Sequence, residues 1–185
     1  MLARKKVKHL YLGIESGLDD VLKFMKKDHD LAQAYQAIDR LHGAGLIYDA
    51  HIMTGVAGKG RGMENAEALA QFLNRTNPAH VVNFSMFLHK EVPLYQDIRQ
   101  GTFVPADELE TIREEYHLIE RIAPEKAGAN ILYDGFHDFI HVRVRGHLPG
   151  DKEKMLAKLN GIIQEYEGKE PVLSLIHISE PTRLD

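Results

Sequence analysis

Two oppositely charged side chains stand close together near the start of the chain. Glu15 ends the apolar segment LYLGIE, and Lys27 follows twelve positions later at the end of a short, helix-like stretch. A carboxylate accepts hydrogen bonds from neighbouring hydroxyl groups, and a lysine offers a compact positive charge to an anion. These two groups can act together only if the fold brings them to the same place.

A glycine-rich segment, GVAGKGRG (55–62), is the second candidate. It lacks the GxxxxGK[ST] spacing of a phosphate-binding loop, and Lys59 is followed by glycine, so no hydroxyl is placed for magnesium. It also lacks the GxGxxG spacing. We interpret the glycines as backbone that passes close to a ligand, which a residue with a Cβ would obstruct.

Histidines and arginines are concentrated between residues 137 and 145. His137 and His141 would lie about 13 Å apart if they shared one strand, which is too far for a common metal ion. We therefore predict no metal site. Arg143 and Arg145 alternate with apolar residues, as in a half-exposed strand, and are candidates for contact with an anionic group.

The composition excludes several classes of protein. The chain has 185 residues, 44% of them hydrophobic, and a formal charge of −4, and no basic patch or acidic tail indicates nucleic acid or a membrane surface. No apolar run approaches the ~18 residues of a membrane span, and the start lacks a signal-peptide pattern. Because the chain has no cysteine, it cannot form disulfides or thiolate-held metal sites, which fits a cytoplasmic protein.

The tail does not continue the pattern of the preceding chain. The segment LSLIHISEPTR (173–183) matches, residue by residue, the in-frame translation of a transposase-type sequencing adapter. We therefore interpret residues 173–185 as an artefact and expect them to be disordered. The same origin suggests an assembled DNA fragment, in which Met1 could be an internal methionine.

Apolar runs alternate with helical patterns along the rest of the chain. Near-continuous apolar runs predict buried strands, and three-to-four spacing of apolar residues predicts helices. The predicted strands are 7–14, 46–54 and 80–88, and the predicted helices are 18–26, 30–45, 62–75 and 106–122. Strands joined by helical crossovers pair in parallel, which predicts an α/β fold with either half of a β/α barrel or an open sheet.

In either fold, ligands bind at the carboxyl ends of the strands, where Glu15 and Gly55 would lie. Each strand also carries a mixed polar row, with His51 and Met53 on one and Asn83 and Ser85 on another. If these rows all point inward, they form a polar lumen. Residues 126–172 predict a small strand–helix extension, and the charged helix ELETIREEYHLIERI is interpreted as a solvated surface helix.

Three of these segments together resemble a known family. YLGIESGLDDVLKFMKK, LHGAGLIYDAHIMTGVAGKGRGMENAEALAQFLN and PAHVVNFSMFLHKEVPLYQDIRQG look like the C-terminal half of a radical S-adenosylmethionine (SAM) enzyme, in the branch that contains oxygen-independent coproporphyrinogen oxidase. The resemblance implies that residues 1–125 are the fourth to sixth units of a partial six-unit β/α barrel, followed by the extension at 126–172.

The resemblance also implies a set of cofactor contacts. Glu15 would accept hydrogen bonds from the ribose hydroxyls, and Lys27 would bind the carboxylate of the methionine moiety. Backbone groups from Met53 to Gly55 would contact the adenine, and Phe87 would flank it. His51 takes an inward position beside the cofactor that is often acidic in relatives.

One departure from the family is large. The CxxxCxxC motif that binds the [4Fe-4S] cluster is absent from the chain, so no catalytic or metal-binding residue is assigned and the fragment should be inactive. Intact, the enzyme would cleave SAM reductively, with an electron donor, and use the 5′-deoxyadenosyl radical on an unknown substrate. The alternatives are a cluster-free module that binds a nucleotide or phosphorylated ligand through Glu15 and the glycine segment, and a scaffold without a ligand. We also expect poor solubility, since an incomplete barrel exposes apolar surface.

Overall fold

A computed structural model describes residues 7–137 and 140–172, and the backbone of residues 175–176. Helices separate its successive parallel strands, as the sequence predicts. In chain order the elements are β1 (His9–Glu15), α1 (Asp19–Phe24), α2 (Leu31–Gly43), β2 (Ile47–Thr54), α3 (Gly62–Thr76), β3 (His80–Ser85), β4 (Leu88–His89), α4 (Leu94–Gln100), α5 (Glu108–Arg121), β5 (Ile131–His137), β6 (Val142–Leu148), α6 (Lys152–Tyr166) and β7 (Leu175–Ile176).

Five strands form one sheet in the order β1-β2-β3-β5-β6. The first four are parallel, and β6 returns antiparallel to β5. Parallel strands joined by helices are the unit of a β/α barrel, so the predicted α/β class with a partial barrel is confirmed. The carboxyl ends of β1, β2, β3 and β5 consequently share one edge of the sheet.

Local sequence signals set the helix boundaries. Asp30 accepts a hydrogen bond from the backbone N–H of Gln33, whose side chain in turn accepts from the N–H of Asp30, so α2 begins with a capping box. The side chain of Asp107 accepts from the N–H of Glu110 at the start of α5. No helix among the described residues is long and apolar enough to cross a membrane.

The main core lies between one face of the sheet and helices α2, α3, α5 and α6. It contains fully buried residues from strands and helices alike, among them Ile52, Leu69, Leu73, Ile112 and Tyr133. Burying each large apolar side chain contributes roughly 1.5–3 kcal/mol, so this layer holds the strand ends in place.

The predicted strand at 80–88 is interrupted. β3 ends at Ser85, and Leu88 and His89 form the separate short strand β4. The N–H of Met86 donates to the carbonyl of Thr54 at 2.8 Å, which ends β3 beside the tip of β2. The apolar run continues through this break because Met86 and Leu88 are buried in a satellite cluster with Phe103. Helix α4 was not predicted.

The polar row of β3 faces the helices, not the open side of the sheet. In the register of β2 and β3, His51 pairs with Val82 and Met53 with Phe84, so these four side chains share one face. Asn83 and Ser85 therefore lie on the opposite face, where both are buried. The prediction of a lumen lined by all three mixed rows is wrong for β3.

Helix α5 is not a solvated surface helix, which corrects the interpretation of its charged sequence. Glu108, Glu114 and Glu115 are each at most 1% exposed. Glu108 and Glu115 recur with Ile112 and Ile119 at offsets of 0, 4, 7 and 11, which is the period of one buried helix face. The high charge of this segment predicted exposure to solvent, but these carboxylates are buried and have their partners inside the protein.

Strands β5 and β6 extend the same sheet as β1–β3, since β5 pairs with β3 from Leu132 to Phe136. The predicted alternation of β6 is confirmed: Val144 and Leu148 are buried, whereas Arg143 and Arg145 are exposed.

Most of the predicted artefact tail (173–185) lies outside the described residues. The exception is Leu175–Ile176, which pairs in parallel with Leu88–His89. The expectation of disorder is therefore corrected at these two positions. An exposed strand edge offers unpaired backbone groups to any extended segment, whatever its sequence.

Candidate functional site

The tip of β1 has an unusual backbone. Glu15 has φ +61°, in the left-handed region that non-glycine residues rarely adopt. The register with β2 also shifts here, because Gly13 pairs with His51 and Glu15 already pairs with Ile52. Such a conformation costs of order 1–3 kcal/mol and persists only where surrounding contacts hold it. The strain turns the Glu15 carboxylate out of the regular alternation of the strand.

Glu15 and Lys27 meet at this tip. Lys27 Nζ donates to Glu15 Oε1 at 3.0 Å, and their side chains are 30% (Lys27) and 22% (Glu15) exposed. The N–H of Lys27 donates to the carbonyl of Leu22, so the chain turns back after α1 and brings the lysine to the strand end. The two predicted charges thus occupy one rim and contact each other directly.

Gly13 makes room for this ion pair. A Cβ on Gly13 would lie 2.6 Å from Glu15 Oε1 and 3.4 Å from Lys27 Nζ. The first distance is shorter than any normal contact, so a larger residue would displace the carboxylate. Across from Gly13 in the register lies His51, which is the third predicted residue at this place.

Met53 and Phe87 line a neighbouring groove of about 310 Å³, together with Met25 and Lys26 from the turn after α1. Phe87 is 51% exposed, whereas Met53 packs against two small apolar clusters. The turn that carries Lys26 also carries Lys27, so the groove and the ion pair are adjacent. The structure thus brings Glu15, Lys27, Met53 and Phe87 to one region of the carboxyl edge.

Gly55 follows the tip of β2 with φ +82°, and a Cβ there would lie 2.8 Å from Thr111 Cγ2. Its N–H donates to Glu114 Oε2 at 2.8 Å, and the N–H of Thr54 donates to Asn83 Oδ1 at 3.1 Å. These donors are therefore occupied inside the protein.

The glycine segment after β2 is also tied to the protein. The N–H groups of Gly58, Lys59 and Arg61 donate to the carbonyls of Gly55, Val104 and Gly58 respectively. The Arg61 guanidinium pairs with two carboxylates, those of Asp20 and Glu64. A loop that binds phosphate points its N–H groups and its cation at the ligand. This arrangement does not favour the alternative of a phosphate site here.

The face of the sheet opposite the main core carries a row of rings. The centroids of Tyr11 and His51 are 5.3 Å apart, those of His51 and Phe84 are 6.2 Å apart, and those of Phe84 and Phe136 are 5.3 Å apart. The Arg143 guanidinium lies 4.8 Å from the centroid of Phe136. Tyr11 is 60% exposed and Phe84 is 38% exposed, so this face is accessible over much of its width.

The arginines of β6 are engaged at the end of that row. Arg143 Nε and Nη2 donate to Asp134 Oδ1 at 2.8 Å and Oδ2 at 2.7 Å, and Arg145 Nε lies 3.7 Å from Oδ2. The hydrogen bonds from Arg143 hold the pKa of the Asp134 carboxyl below its ordinary value. Asp134 thus takes up the bidentate fork of Arg143, while Arg145 has only a longer contact.

Beneath the rim lies a second ionic group, which the sequence interpretation missed. His137 Nε2 is 2.9 Å from Glu115 Oε2, and His137 Nδ1 is 3.4 Å from Glu108 Oε2, with all three side chains 0% exposed. Burial lowers the pKa of His137, but the two carboxylates outweigh it and raise the pKa to about 9. Glu115 Oε1 also accepts from Tyr133 and Asn83.

Among the described residues, no group of three or more His, Cys, Asp or Glu side chains has a metal-ligand arrangement. The chain also has no cysteine, so its residues do not fit the thiolate ligation of an iron–sulfur cluster. At the rim, the Glu15 carboxylate keeps Oε2 without a hydrogen bond among the described residues, and the groove of about 310 Å³ lies alongside.

No protein-family model matches the chain, and no curated protein does either. Among solved structures, the chain is similar to an N-terminally deleted form of the archaeal Elp3 of Methanocaldococcus infernus, with a TM-score of 0.63 and 17% sequence identity. The match covers 89% of this chain and 37% of that one, so the chain spans little more than a third of the structure it resembles. At this identity the likeness shows a shared fold.

Proposed function

We propose that this chain is part of a radical SAM enzyme and supplies the part of the barrel that binds the adenosyl and methionine moieties of SAM. Elp3 belongs to the radical SAM family, so the shared fold supports a radical SAM-like barrel. The coproporphyrinogen oxidase branch rests on the three sequence motifs only and remains a prediction.

The observation that carries the proposal is the contact between Glu15 and Lys27 at the carboxyl edge, 3.0 Å apart and partly exposed. A zwitterionic ligand with a vicinal diol can separate this pair, with its hydroxyls donating to Glu15 and its carboxylate facing Lys27. Met53 and Phe87 would contact the adenine from the neighbouring groove, and His51 would border the ligand from β2.

The protein residues bind, orient and shield the ligand; they carry no catalytic group of their own in this proposal. In the intact enzyme, bound SAM and a [4Fe-4S] cluster would supply the radical that starts the reaction. An external electron donor and a small-molecule substrate complete the proposal. The cluster ligands would have to come from outside this chain, and sequence upstream of it in the source DNA, with or without CxxxCxxC, tests that part directly.

Isothermal titration of the chain with SAM tests the binding site. We expect measurable binding, weakened at least about tenfold by Lys27→Met and by Glu15→Gln, because each change removes one charged partner of the ligand. Lys23→Met removes a charge from an exposed position of α1 and should leave the affinity unchanged. Equal affinity of all four proteins, or no binding by the unsubstituted chain, would overturn the proposal.

A parallel titration with ADP and with inorganic phosphate addresses the phosphate-binding alternative. We expect neither to bind more tightly than SAM, because five of the eight N–H groups of the glycine segment, those of Gly55, Gly58, Lys59, Gly60 and Arg61, donate inside the protein. Tight binding of ADP that Lys27→Met does not affect would favour the alternative.

A further inference from the structure

Glu114 lies in the interior directly behind the candidate site. It is 1% exposed, and both of its carboxylate oxygens accept hydrogen bonds from different parts of the chain. Oε2 accepts from the N–H of Gly55 at 2.8 Å, and Oε1 accepts from Asn65 Nδ2 at 2.7 Å. No residue of the predicted site is in α5, so this carboxylate is additional to that site.

Asn65 passes the connection on to the tip of β1. Its Oδ1 accepts from the hydroxyl of Ser16 at 2.6 Å and from the N–H of Gly17 at 3.2 Å. Ser16 follows Glu15 directly, so the chain of hydrogen bonds reaches the strained residue of the rim. The side chains of Ser16, Asn65 and Glu114 are all buried, where a hydrogen bond is costly to lose.

Glu114 therefore connects the two strand tips that border the proposed ligand. One of its oxygens holds the tip of β2 through Gly55, and the other holds the tip of β1 through Asn65. Both tips contain a residue in the left-handed region, Glu15 at φ +61° and Gly55 at φ +82°. Conformations of this kind need contacts that determine them, and Glu114 provides one for each tip.

The space around Glu114 fits this role closely. A Cβ on Gly62, the first residue of α3, would lie 3.1 Å from Glu114 Oε2 and 3.2 Å from its Cβ. Helix α3 thus approaches the carboxylate as near as a glycine permits. The carboxylate has little freedom to move, so its two hydrogen bonds fix the distance between the tips.

We propose that Glu114 is a positioning residue that sets the spacing of the β1 and β2 tips for the adenosyl moiety of the ligand; the inference rests on the proposed function of the site. The role requires acceptors at both oxygens. Glutamine at this position keeps the shape but presents an N–H group to one of two donors, which breaks one of the two connections.

An exchange of amide and carboxylate between the two positions tests this directly. Asn65→Asp alone places two carboxylates in contact, and Glu114→Gln alone leaves a donor facing a donor. When both substitutions are combined, the introduced aspartate still accepts from Ser16 and Gly17. The introduced glutamine donates its amide N–H to that aspartate, and its oxygen accepts from Gly55. Every hydrogen bond is restored, with donor and acceptor exchanged in one of them.

Titration with SAM should show each single variant weakened by about tenfold or more, and the double variant within about threefold of the unsubstituted chain. A merely structural role would lower the thermal midpoint of the single variants and leave the SAM affinity of the folded proteins unchanged. The matched control is Glu115→Gln, which alters the neighbouring carboxylate toward Tyr133 and His137 and should leave the SAM affinity of the folded protein unchanged.

Amide hydrogen exchange supplies a readout that does not need the ligand. Glu114→Gln should speed exchange at Gly55 and Gly17 relative to Glu115→Gln, since both N–H groups belong to the Glu114 connection. Ser16→Ala removes the shorter of the two hydrogen bonds that join the β1 tip to Asn65 and touches no buried charge, so it should speed exchange at Gly17 but not at Gly55. Ser16→Ala therefore still tests the connection if Asn65→Asp and Glu114→Gln fail to fold.

The outcomes separate the two proposals. If the unsubstituted chain fails to bind SAM, the proposed function fails, while exchange at Gly17 and Gly55 still decides whether Glu114 holds both tips. If SAM binds and Glu114→Gln binds equally well, with unchanged exchange at both glycines, the proposed function stands and the positioning role is overturned.

Discussion

The carboxyl edge of the sheet carries two ionic groups in contrasting surroundings. At the rim, Glu15 and Lys27 form a single contact and remain 22% and 30% exposed. Beneath it, His137 lies between Glu108 and Glu115 with no exposure at all. A buried charge needs partners in the protein, whereas an exposed one can exchange its partner for a ligand. The buried group therefore serves the fold, and the rim pair is the better candidate for binding.

The two faces of the sheet show the same contrast. On the covered face, Asn83 and Tyr133 both bond to Glu115. On the open face, Tyr11 and Phe84 are substantially exposed, and Asp49 Oδ1 is buried without a hydrogen bond among the described residues. A ligand or a further part of the protein can still contact the open face, whereas helices already cover the opposite face.

The largest expected effect is at the buried group. His137→Ala leaves two carboxylates inside the core without their cation, which should lower the free energy of unfolding by about 3–5 kcal/mol. Urea denaturation followed by circular dichroism measures this loss. His147→Ala, at an exposed position of β6, is the control and should change stability little. A loss below about 1 kcal/mol for His137→Ala would show that the buried group does not hold the fold together.

After His137→Ala, a rise in pH should have the largest destabilising effect on the protein. His137 has a pKa of about 9 when folded against an ordinary 6.5, so the stability that it contributes is complete below pH 6.5 and is lost as pH rises through 9. Burial raises the pKa of Glu114 from 4.5 to about 7, which outweighs its two hydrogen bonds, so its contribution falls from pH 4.5 upward in the same direction.

The free energy of unfolding should therefore decrease between about pH 5 and pH 9.5, by up to about 3 kcal/mol from each of the two groups. Urea denaturation at several pH values measures the slope, which should become shallower above about pH 7 in His137→Ala. A stability that increases with pH over this range would show that the buried histidine is not held protonated.

Two phenylalanines compare the two sides of the sheet. Phe72→Ala, in helix α3 of the covered side and at 1% exposure, should cost about 3–5 kcal/mol. Phe84→Ala, on the open side, loses mainly its stacking on Phe136 and should cost about 1 kcal/mol. Equal losses would indicate that the open face is as closely packed as the core. Chemical denaturation of the two variants measures both losses.

The smallest effect on stability is expected at the rim. Lys27→Met should change the free energy of unfolding by less than about 1 kcal/mol, because a partly exposed ion pair contributes little. The same substitution is expected to weaken SAM binding strongly, so stability and affinity separate at this residue. A thermal melt alongside the titration measures both, and a large stability loss would move Lys27 from the ligand site to the framework.

Much of the fold follows from local patterns. Apolar runs identify β1, β2 and β3, and three-to-four spacing of apolar residues identifies α2, because these patterns depend on neighbours within a few residues. The burial of Glu108 and Glu115 was also visible in principle, since they recur with Ile112 and Ile119 on one helix face. Their charge concealed it, because a carboxylate is buried only when distant residues supply its partners.

The sequence by itself determined the order of strands and helices. It also determined the sheet edge at which Glu15, Lys27 and Gly55 lie, since parallel connections leave few ways to arrange such elements. The tertiary structure decided which side of β3 faces the helices, that Lys27 contacts Glu15 directly, and that Glu114 joins two strand tips. These outcomes depend on register and on donors and acceptors tens of residues apart, which no local pattern contains.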